Sequence, residues 1–241
     1  MLFAFLFVVG FIAAALQCTI GFGSAVIMIN VLPFFLDTRQ TVAISLFVCT
    51  LFPLYIIWKL RKKVRKDVFM PFLLPSLICT VVATHFSTRI NTSTMKILLG
   101  IVFILLSIYF SFVAEKISIR PTKRNGMLVG SLCGTLGGLF VAGGPPAVLY
   151  FAPALPDKEE YVATIQVYFW IINVVSLLTR IFSSAVTASD LKYMIVTSLG
   201  AILGVVVGMM GMGKIKGVLL KRFIYAFVGI NGLVMVITGL S

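Results

Sequence analysis

The chain has little charge, and this scarcity excludes most soluble proteins. Only 11% of its 241 residues are charged, 60% are hydrophobic, and the mean hydropathy is +1.13. A soluble domain carries about 25% charged residues, so water cannot be the main solvent of this chain. The composition therefore predicts helices that lie in a lipid bilayer.

Acidic residues and histidine are scarcer still. All seven acidic residues fall in loops or at the ends of apolar segments, and His85 is the only histidine. Cation carriers and proton relays usually place carboxylates inside the membrane, so both functions are disfavoured. The four cysteines lie in apolar stretches without metal-ligand spacing. The sequence thus predicts no metal site, no cofactor and no intramembrane enzyme, which would need a catalytic dyad or metal ligands.

Basic residues are more numerous and give a formal net charge of +13. In a soluble protein this excess would suggest a nucleic-acid partner. Here the Lys and Arg residues lie in short loops between long apolar segments, which is typical of residues that orient membrane proteins. We therefore predict no nucleic-acid partner.

Eight apolar segments follow one another along the chain, and two are too long for a single straight helix. A membrane-spanning helix needs about 20 apolar residues. Six segments have this ordinary length, whereas the first and the fifth are longer and each contains a glycine cluster. The eight segments are 1–36, 41–58, 68–86, 95–114, 126–156, 161–182, 191–212 and 217–240.

The two halves of the chain, 1–120 and 121–241, resemble repeats of each other. A shift of 121 residues places Gly23 on Gly144, and a shift of 123 places Asp67 on Asp190. Each aspartate stands just before an apolar segment, as a helix N-cap would. We predict two membrane repeats, each with one glycine-interrupted segment and three transmembrane helices.

The distribution of Lys and Arg indicates how the halves are oriented. If all eight segments crossed once, these residues would divide 12 to 8 between the two faces. If the fifth segment is a re-entrant hairpin, they divide 15 to 5, and the positive-inside rule favours this arrangement. A hairpin plus three crossings gives an inverted-topology repeat. For the first segment, a hairpin is inferred from the repeat alone.

Each glycine cluster predicts a helix break near the middle of the bilayer. Unpaired backbone groups cost several kcal/mol each in hydrocarbon, so a break must be buried in protein or line a polar cavity. Ser24 is a good helix cap and Pro145 is favoured at a first helical position, so each break exposes a half-helix N-terminus. Two such termini carry about one unit of positive charge and free N–H donors, which suits a small anion. By contrast, the spacing of Gly200, Gly204 and Gly208 is typical of close helix packing.

Glycines and polar residues near the two breaks are the candidate substrate-binding groups. Each polar side chain has an alternative role in an interhelical hydrogen bond worth about 0.6 kcal/mol. Arg89 and Arg180, near span ends, either steer anions or, as we favour, snorkel to the interface. The candidates are Gln17, Thr19, Gly21, Gly23, Ser24, Ser45, Thr50, Gly143, Gly144, Gln166, Tyr168 and Asn173.

Two glycine-rich elements, each followed by a proline, carry a family resemblance. They are residues 17–24 with Pro33 and residues 134–146 with Pro153. Over essentially its full length the chain resembles the sulfite exporter TauE/SafE family of bacterial and archaeal permeases, although Ser24 and Pro145 stand where that family often has glycine. The resemblance implies transport of sulfur-containing anions such as sulfite or organosulfonates.

These observations together predict an all-α polytopic protein of the plasma membrane. Its partners would be a small anionic substrate and the lipid bilayer, and a homo-oligomer is left open. We expect alternating access with the anion held at the half-helix N-termini. A membrane scaffold, and a transporter of another small oxoanion or organic acid, remain as alternatives.

Overall fold

The computed structural model describes residues 1–20, 23–51, 53–112, 119–211 and 217–240. These ranges contain α-helices and short 3-10 turns but no strand, so the all-α prediction is confirmed. The helices are α1 (Leu2–Ile20), α2 (Ser24–Val31), α3 (Thr38–Leu51), α4 (Leu54–Leu60), α5 (Lys66–Ser87), α6 (Thr92–Phe112), α7 (Lys123–Phe140), α8 (Gly144–Ala154), α9 (Lys158–Phe182), α10 (Leu191–Gly211) and α11 (Gly217–Leu240).

The outer surface of the helices is apolar, as lipid contact requires. In the described residues, four helical stretches are long and apolar enough to cross a membrane: 38–63, 66–87, 158–182 and 188–208. Along α5, large apolar side chains such as Leu74 and Ile78 are exposed. Such a continuous apolar surface would drive aggregation in water but is stable in lipid. The prediction of a polytopic membrane protein is confirmed.

Helices α7 and α8 form a hairpin. A Cβ added at Gly126 would lie 2.7 Å from Tyr150 Oη, and one at Gly143 would lie 2.5 Å from the Cys133 carbonyl oxygen. The two helices therefore run back along each other from the break. The turn itself begins at Val141, which ends α7 in a left-handed conformation with φ of 56°.

The α7–α8 hairpin is the second of two in the chain, and both of its ends lie on one face of the helix bundle. Helix α7 runs parallel to α5, because the close approaches of Gly130 to Phe72 and of Gly138 to Thr80 advance together along both helices. Arg65, just before α5, donates to Glu160 at the start of α9 over 3.0 Å. The starts of α5, α7 and α9 therefore share a face, and α8 returns to it. This is the re-entrant path predicted for the fifth segment.

Helices α1 and α2 form the first hairpin in the same way. At its closed end, Gln17 accepts a hydrogen bond from the backbone N–H of Ser24 at 3.0 Å. At its open end, the rings of Phe5 and Phe35 lie 4.4 Å apart. Two contacts so far apart along both legs require an antiparallel return, which the sequence indicated only through its repeat.

The first hairpin opens toward the opposite face from the second. Its open end lies beside the start of α10, since the rings of Phe3 and Tyr193 are 5.9 Å apart. The start of α3 is also there, because Gln40 donates to Asp190 over 2.9 Å. Helices α3 and α4 then run from this face to the basic face at residues 59–66, so the open ends lie at opposite ends of the bundle.

The long helices pair across the two halves of the chain. Helix α10 packs parallel to α1, where a Cβ at Gly200 would lie 2.0 Å from the Phe7 carbonyl oxygen and one at Gly204 2.2 Å from that of Phe11. The predicted packing role of these two glycines is confirmed. Helix α5 pairs with α7 in the same parallel sense, and α6 pairs with α11 in the antiparallel sense through mutual contact of Gly100 and Gly232.

The structure corrects the predicted position of the second break. Helix α7 continues through Gly134 and Gly138 to Phe140, so the break comprises residues 141–143. A Cβ at Gly134 would lie 2.2 Å from the Ser76 carbonyl oxygen, which shows that these glycines permit close packing of α7 on α5. The prediction that they interrupt the helix was wrong, although the helix resumes at Gly144 as predicted.

One smaller expectation also needs correction. Asp67 is not an N-cap, since that position belongs to Arg65. Asp190 does take part in a capping box with Thr187, at the 3-10 turn that leads into α10.

Candidate functional site

A cavity of about 40 Å³ lies where the closed ends of the two hairpins meet. This is roughly three times the space that one water molecule requires. The starts of both half-helices, α2 and α8, border the cavity. Helices α1, α3, α7 and α9 complete it. Its lining residues are Gln17, Gly23, Ser24, Ala25, Val26, Cys49, Gly137, Val141, Gly143, Gly144, Tyr168, Phe169, Ile172 and Asn173.

The first break is held open by the backbone conformation of Gly23. This residue has φ of 112° and ψ of −5°, in the region that a side chain disfavours. The bond from the Ile27 N–H to the Gly23 carbonyl begins the helical ladder. The N–H groups of Ala25 and Val26 come before that bond, and both residues border the cavity. The α2 terminus therefore directs backbone donors at this space.

The second break offers fewer backbone donors than the sequence led us to expect. Pro145 and Pro146 occupy the first turn of α8, and proline has no N–H group. Gly144 is the residue of that turn that borders the cavity with an N–H. The two N-termini thus contribute unequally, although each carries the partial positive charge of a helix start.

Two side-chain carboxamides complement the backbone donors. Gln17 Oε1 accepts from both the N–H and the hydroxyl of Ser24, which fixes the oxygen toward Ser24 and leaves the NH2 group free of partners in the described residues. Asn173 reaches the cavity from α9, and its side chain has no hydrogen-bond partner in those residues either. Each NH2 group is a neutral donor.

No charged side chain occurs among the described residues that line the cavity. Any charge compensation for a bound ion must therefore come from dipoles and neutral donors. Such preorganised groups act strongly where water is excluded, because the local dielectric constant is low. The start of each half-helix presents N–H groups and a partial positive charge at this space. This arrangement is suited to a small anion and unsuited to a cation.

The structure brings together part of the predicted set of site residues. Ser45 and Gln166 are buried away from the cavity, and Thr50 donates to the Leu46 carbonyl of its own helix at 2.8 Å. Gly21 and the side chain of Thr19 lie outside the described residues. Seven of the predicted residues line the cavity: Gln17, Gly23, Ser24, Gly143, Gly144, Tyr168 and Asn173.

Other lining residues were missed by the sequence reasoning. Cys49 belongs to the buried core and also lines the cavity, with its Sγ 3.3 Å from Ser24 Oγ. Phe169 and Ile172 flank two predicted residues on α9, and helical periodicity was the signal that could have found them. Val141 carries no such signal, because its position depends on the path of the turn.

The comparisons with known proteins identify one family. The family model of the sulfite exporter TauE/SafE matches residues 6–235 of the chain. This range includes both hairpins and the central cavity. No curated protein and no solved structure matches the chain.

Proposed function

Because the chain belongs to the sulfite exporter TauE/SafE family, we propose that it carries sulfite or a small organosulfonate through the central cavity. The family consists of membrane transporters of sulfite and related sulfur anions rather than enzymes. The observation that carries the proposal is the meeting of two half-helix N-termini at one uncharged cavity.

The cavity is well suited to a pyramidal or tetrahedral oxoanion. The oxygens of such an ion accept several hydrogen bonds at once, and donors approach from both sides. Ala25 and Val26 supply N–H groups from the first hairpin and Gly144 supplies one from the second. The NH2 groups of Gln17 and Asn173 add two more donors. Because the described lining residues include no lysine or arginine, binding would remain weak enough for release, as transport requires.

Alternating access would follow from movement of one hairpin against the other. The first helix of each hairpin packs on a long helix of the other half of the chain, α1 on α10 and α7 on α5. This exchange supports an inverted repeat of the two halves. In such a repeat the cavity lies at the pseudo-symmetry axis, and each hairpin closes it from one face. Rocking of the hairpins would then expose the anion to either side in turn.

The proposed location is the plasma membrane of a bacterium or an archaeon. Basic residues concentrate at the face where the second hairpin opens, including Arg61, Arg65 and Lys158. The positive-inside rule assigns that face to the cytoplasm. The face where the first hairpin opens is then external.

Transport by the purified chain tests this proposal. The full-length protein would be reconstituted in liposomes, and uptake of labelled sulfite, taurine, sulfate and acetate would be compared with uptake by protein-free vesicles. We expect saturable uptake of sulfite or the sulfonate and competition between them. Transport of acetate alone would favour an organic-acid carrier, and no uptake of any anion would favour a membrane scaffold.

A further inference from the structure

A second cavity lies at the external face, separate from the central one. It also has a volume of about 40 Å³. It is formed between the start of α3, the ends of α5 and α9, and the start of α6. Its lining residues are Thr38, Arg39, Val42, Ser87, Thr88, Ile90, Met95, Arg180 and Ala185. We refer to this space as the outer cavity.

Arg180 is buried in the wall of the outer cavity. Only 4% of its surface is exposed, so the expectation that it snorkels to the interface was wrong. One guanidinium nitrogen donates to Ser87 Oγ at 3.0 Å and to the Gly138 carbonyl oxygen at 2.9 Å. Its Nε group has no hydrogen-bond partner in the described residues. The guanidinium is therefore held in place but incompletely satisfied.

Arg180 forms no ion pair within the part of the chain that the structure describes. Arg39, which is exposed, lines the same cavity and adds a second positive charge. The ion pairs formed within the described ranges all lie at the opposite, basic face. Asp190, the buried acid of the external face, is occupied by Gln40 and Thr187. The Gly138 carbonyl near the end of α7 gives Arg180 partial compensation only, since a helix terminus carries about half a charge.

A third hydrogen-bond donor, the hydroxyl of Thr38, belongs to a residue that lines the outer cavity. The hydroxyl of Thr38 is buried and has no hydrogen-bond partner in the described part of the chain. An anion between Arg39, Arg180 and Thr38 would satisfy all three groups, and guanidinium groups match oxoanions in geometry as well as charge. We propose that the outer cavity is a second anion site, which binds an oxoanion or sulfonate group.

The outer site lies next to the central cavity along α9. Arg180 follows Asn173 by seven residues, which is about 10 Å along a helix. Its bond to Gly138 also joins it to the turn of α7 that contains the cavity-lining Gly137. An anion bound in the outer cavity would thus lie next to the central cavity before it is transported. This role rests on the proposed function, whereas anion binding at the outer site does not.

Cysteine labelling at Thr88 tests the outer site directly. Thr88 is half-buried in the cavity wall and its hydroxyl bonds only to the His85 carbonyl of its own helix, so Thr88→Cys is a mild change. The full-length variant would be treated with a sulfonate-bearing and a trimethylammonium-bearing methanethiosulfonate, and the adduct at residue 88 quantified by peptide mass spectrometry. We expect the anionic reagent to react faster, and methanesulfonate, a sulfonate that does not react with either reagent, to slow both reactions.

Charge variants in the Thr88→Cys background localise the effect. Arg39→Gln should lower the ratio of anionic to cationic rates roughly tenfold, because one unit charge about 6 Å away changes each rate about threefold in opposite directions. Arg180→Lys retains a charge but loses the planar guanidinium, so we expect weaker protection by methanesulfonate. Arg89→Gln is the matched control, since Arg89 is exposed on the same face but does not line the cavity.

Three results would overturn the proposal: equal rates for the two reagents, no protection by methanesulfonate, or equal effects of Arg39→Gln and Arg89→Gln. A lipid phosphate is another source of the same chemistry. Protection by methanesulfonate in phosphate-free detergent but not in anionic nanodiscs would identify lipid as the native occupant. Asn173→Leu, which would fill the central cavity, separates the two sites. We expect this variant to lose transport but to keep the protection of residue 88 at the outer cavity. Failure of the proposed transport function and failure of the outer site are therefore distinguishable.

Discussion

The side chain of Gln17 caps the half-helix that begins at Ser24, with Oε1 3.0 Å from the Ser24 backbone nitrogen. The cap comes from the preceding helix because the residue at the N-cap position, Gly23, has no side chain. This contact ties the end of α1 to the start of α2 across the break. It also turns the Gln17 NH2 group away from Ser24. One side chain therefore both stabilises the hairpin and supplies a donor to the cavity.

A change of Gln17 to Glu separates these two roles. The carboxylate would still accept the Ser24 N–H, so we expect the variant to fold. It would replace a donor with a negative charge about 5 Å from the anion, and at an effective dielectric constant of about 20 this lowers occupancy by about a hundredfold. The measurement is the initial rate of labelled sulfite uptake in liposomes.

The control for this variant is Asn91→Asp. Asn91 caps the N–H of Thr94 at the start of α6 with a bond of 2.7 Å and is exposed. The same amide-to-acid change outside the cavity should leave uptake within about twofold, because the charge is screened by solvent. Similar losses in both variants would mean that net charge, rather than the cavity, controls transport.

Substitution of two α7 glycines by alanine should change the melting temperature by different amounts. A Cβ at Gly134 would lie 2.2 Å from the Ser76 carbonyl oxygen, whereas one at Gly137 meets nothing closer than Ile172 Cγ2 at 3.5 Å. Overpacking costs about 1–3 kcal/mol, so Gly134→Ala should lower the melting temperature by several degrees. Gly137→Ala should not. Thermal unfolding of the detergent-solubilised variants measures both, and equal melting temperatures would contradict the helix packing described here.

The conformation of Gly23 gives another prediction. Space is open around its Cα, but φ of 112° is unfavourable for a side chain. Gly23→Ala should cost about 1–2 kcal/mol, and the shifted N–H groups of α2 should reduce sulfite uptake. Gly23→Asn should retain more uptake, since asparagine adopts left-handed conformations more readily. A fully active alanine variant would show that this backbone geometry is not needed.

Site-directed labelling from each side tests the opposite directions of the hairpins. Single cysteines at Thr122 and Asp157 mark the two ends of the second hairpin, and cysteines at Phe35 and Ser189 mark the opposite face. A membrane-impermeant maleimide should label positions 35 and 189 from outside intact cells and positions 122 and 157 only after lysis. Labelling of positions 35 and 157 from the same side would exclude the arrangement.

The starts of the half-helices were predictable because they depend on local chemistry. Ser24 and Pro145 favour the first turn of a helix whatever surrounds them, and the structure begins α2 and α8 at or next to these residues. The general character of the cavity followed from the same reasoning. Glycine and N–H donors at a break, without acids nearby, already indicated an anion.

The remaining features depend on contacts that a sequence does not contain. Gly134 and Gly23 look alike in the sequence, yet one permits helix packing and the other forms a break, and only the nearby Ser76 carbonyl distinguishes them. Arg180 looked like an interfacial residue because it lies near the end of a span. Its burial results from contacts with Ser87 and Gly138, which are remote in sequence.

Location of a bound anion tests the central claim most directly. Crystals of the full-length protein soaked in selenite, a heavier analogue of sulfite, would reveal the ion by anomalous scattering from selenium. We predict a peak in the central cavity within hydrogen-bonding distance of the Ala25 or Val26 N–H and of the Gln17 or Asn173 carboxamide. Selenite bound only at surface lysines or absent from the cavity under conditions that support transport would contradict the account.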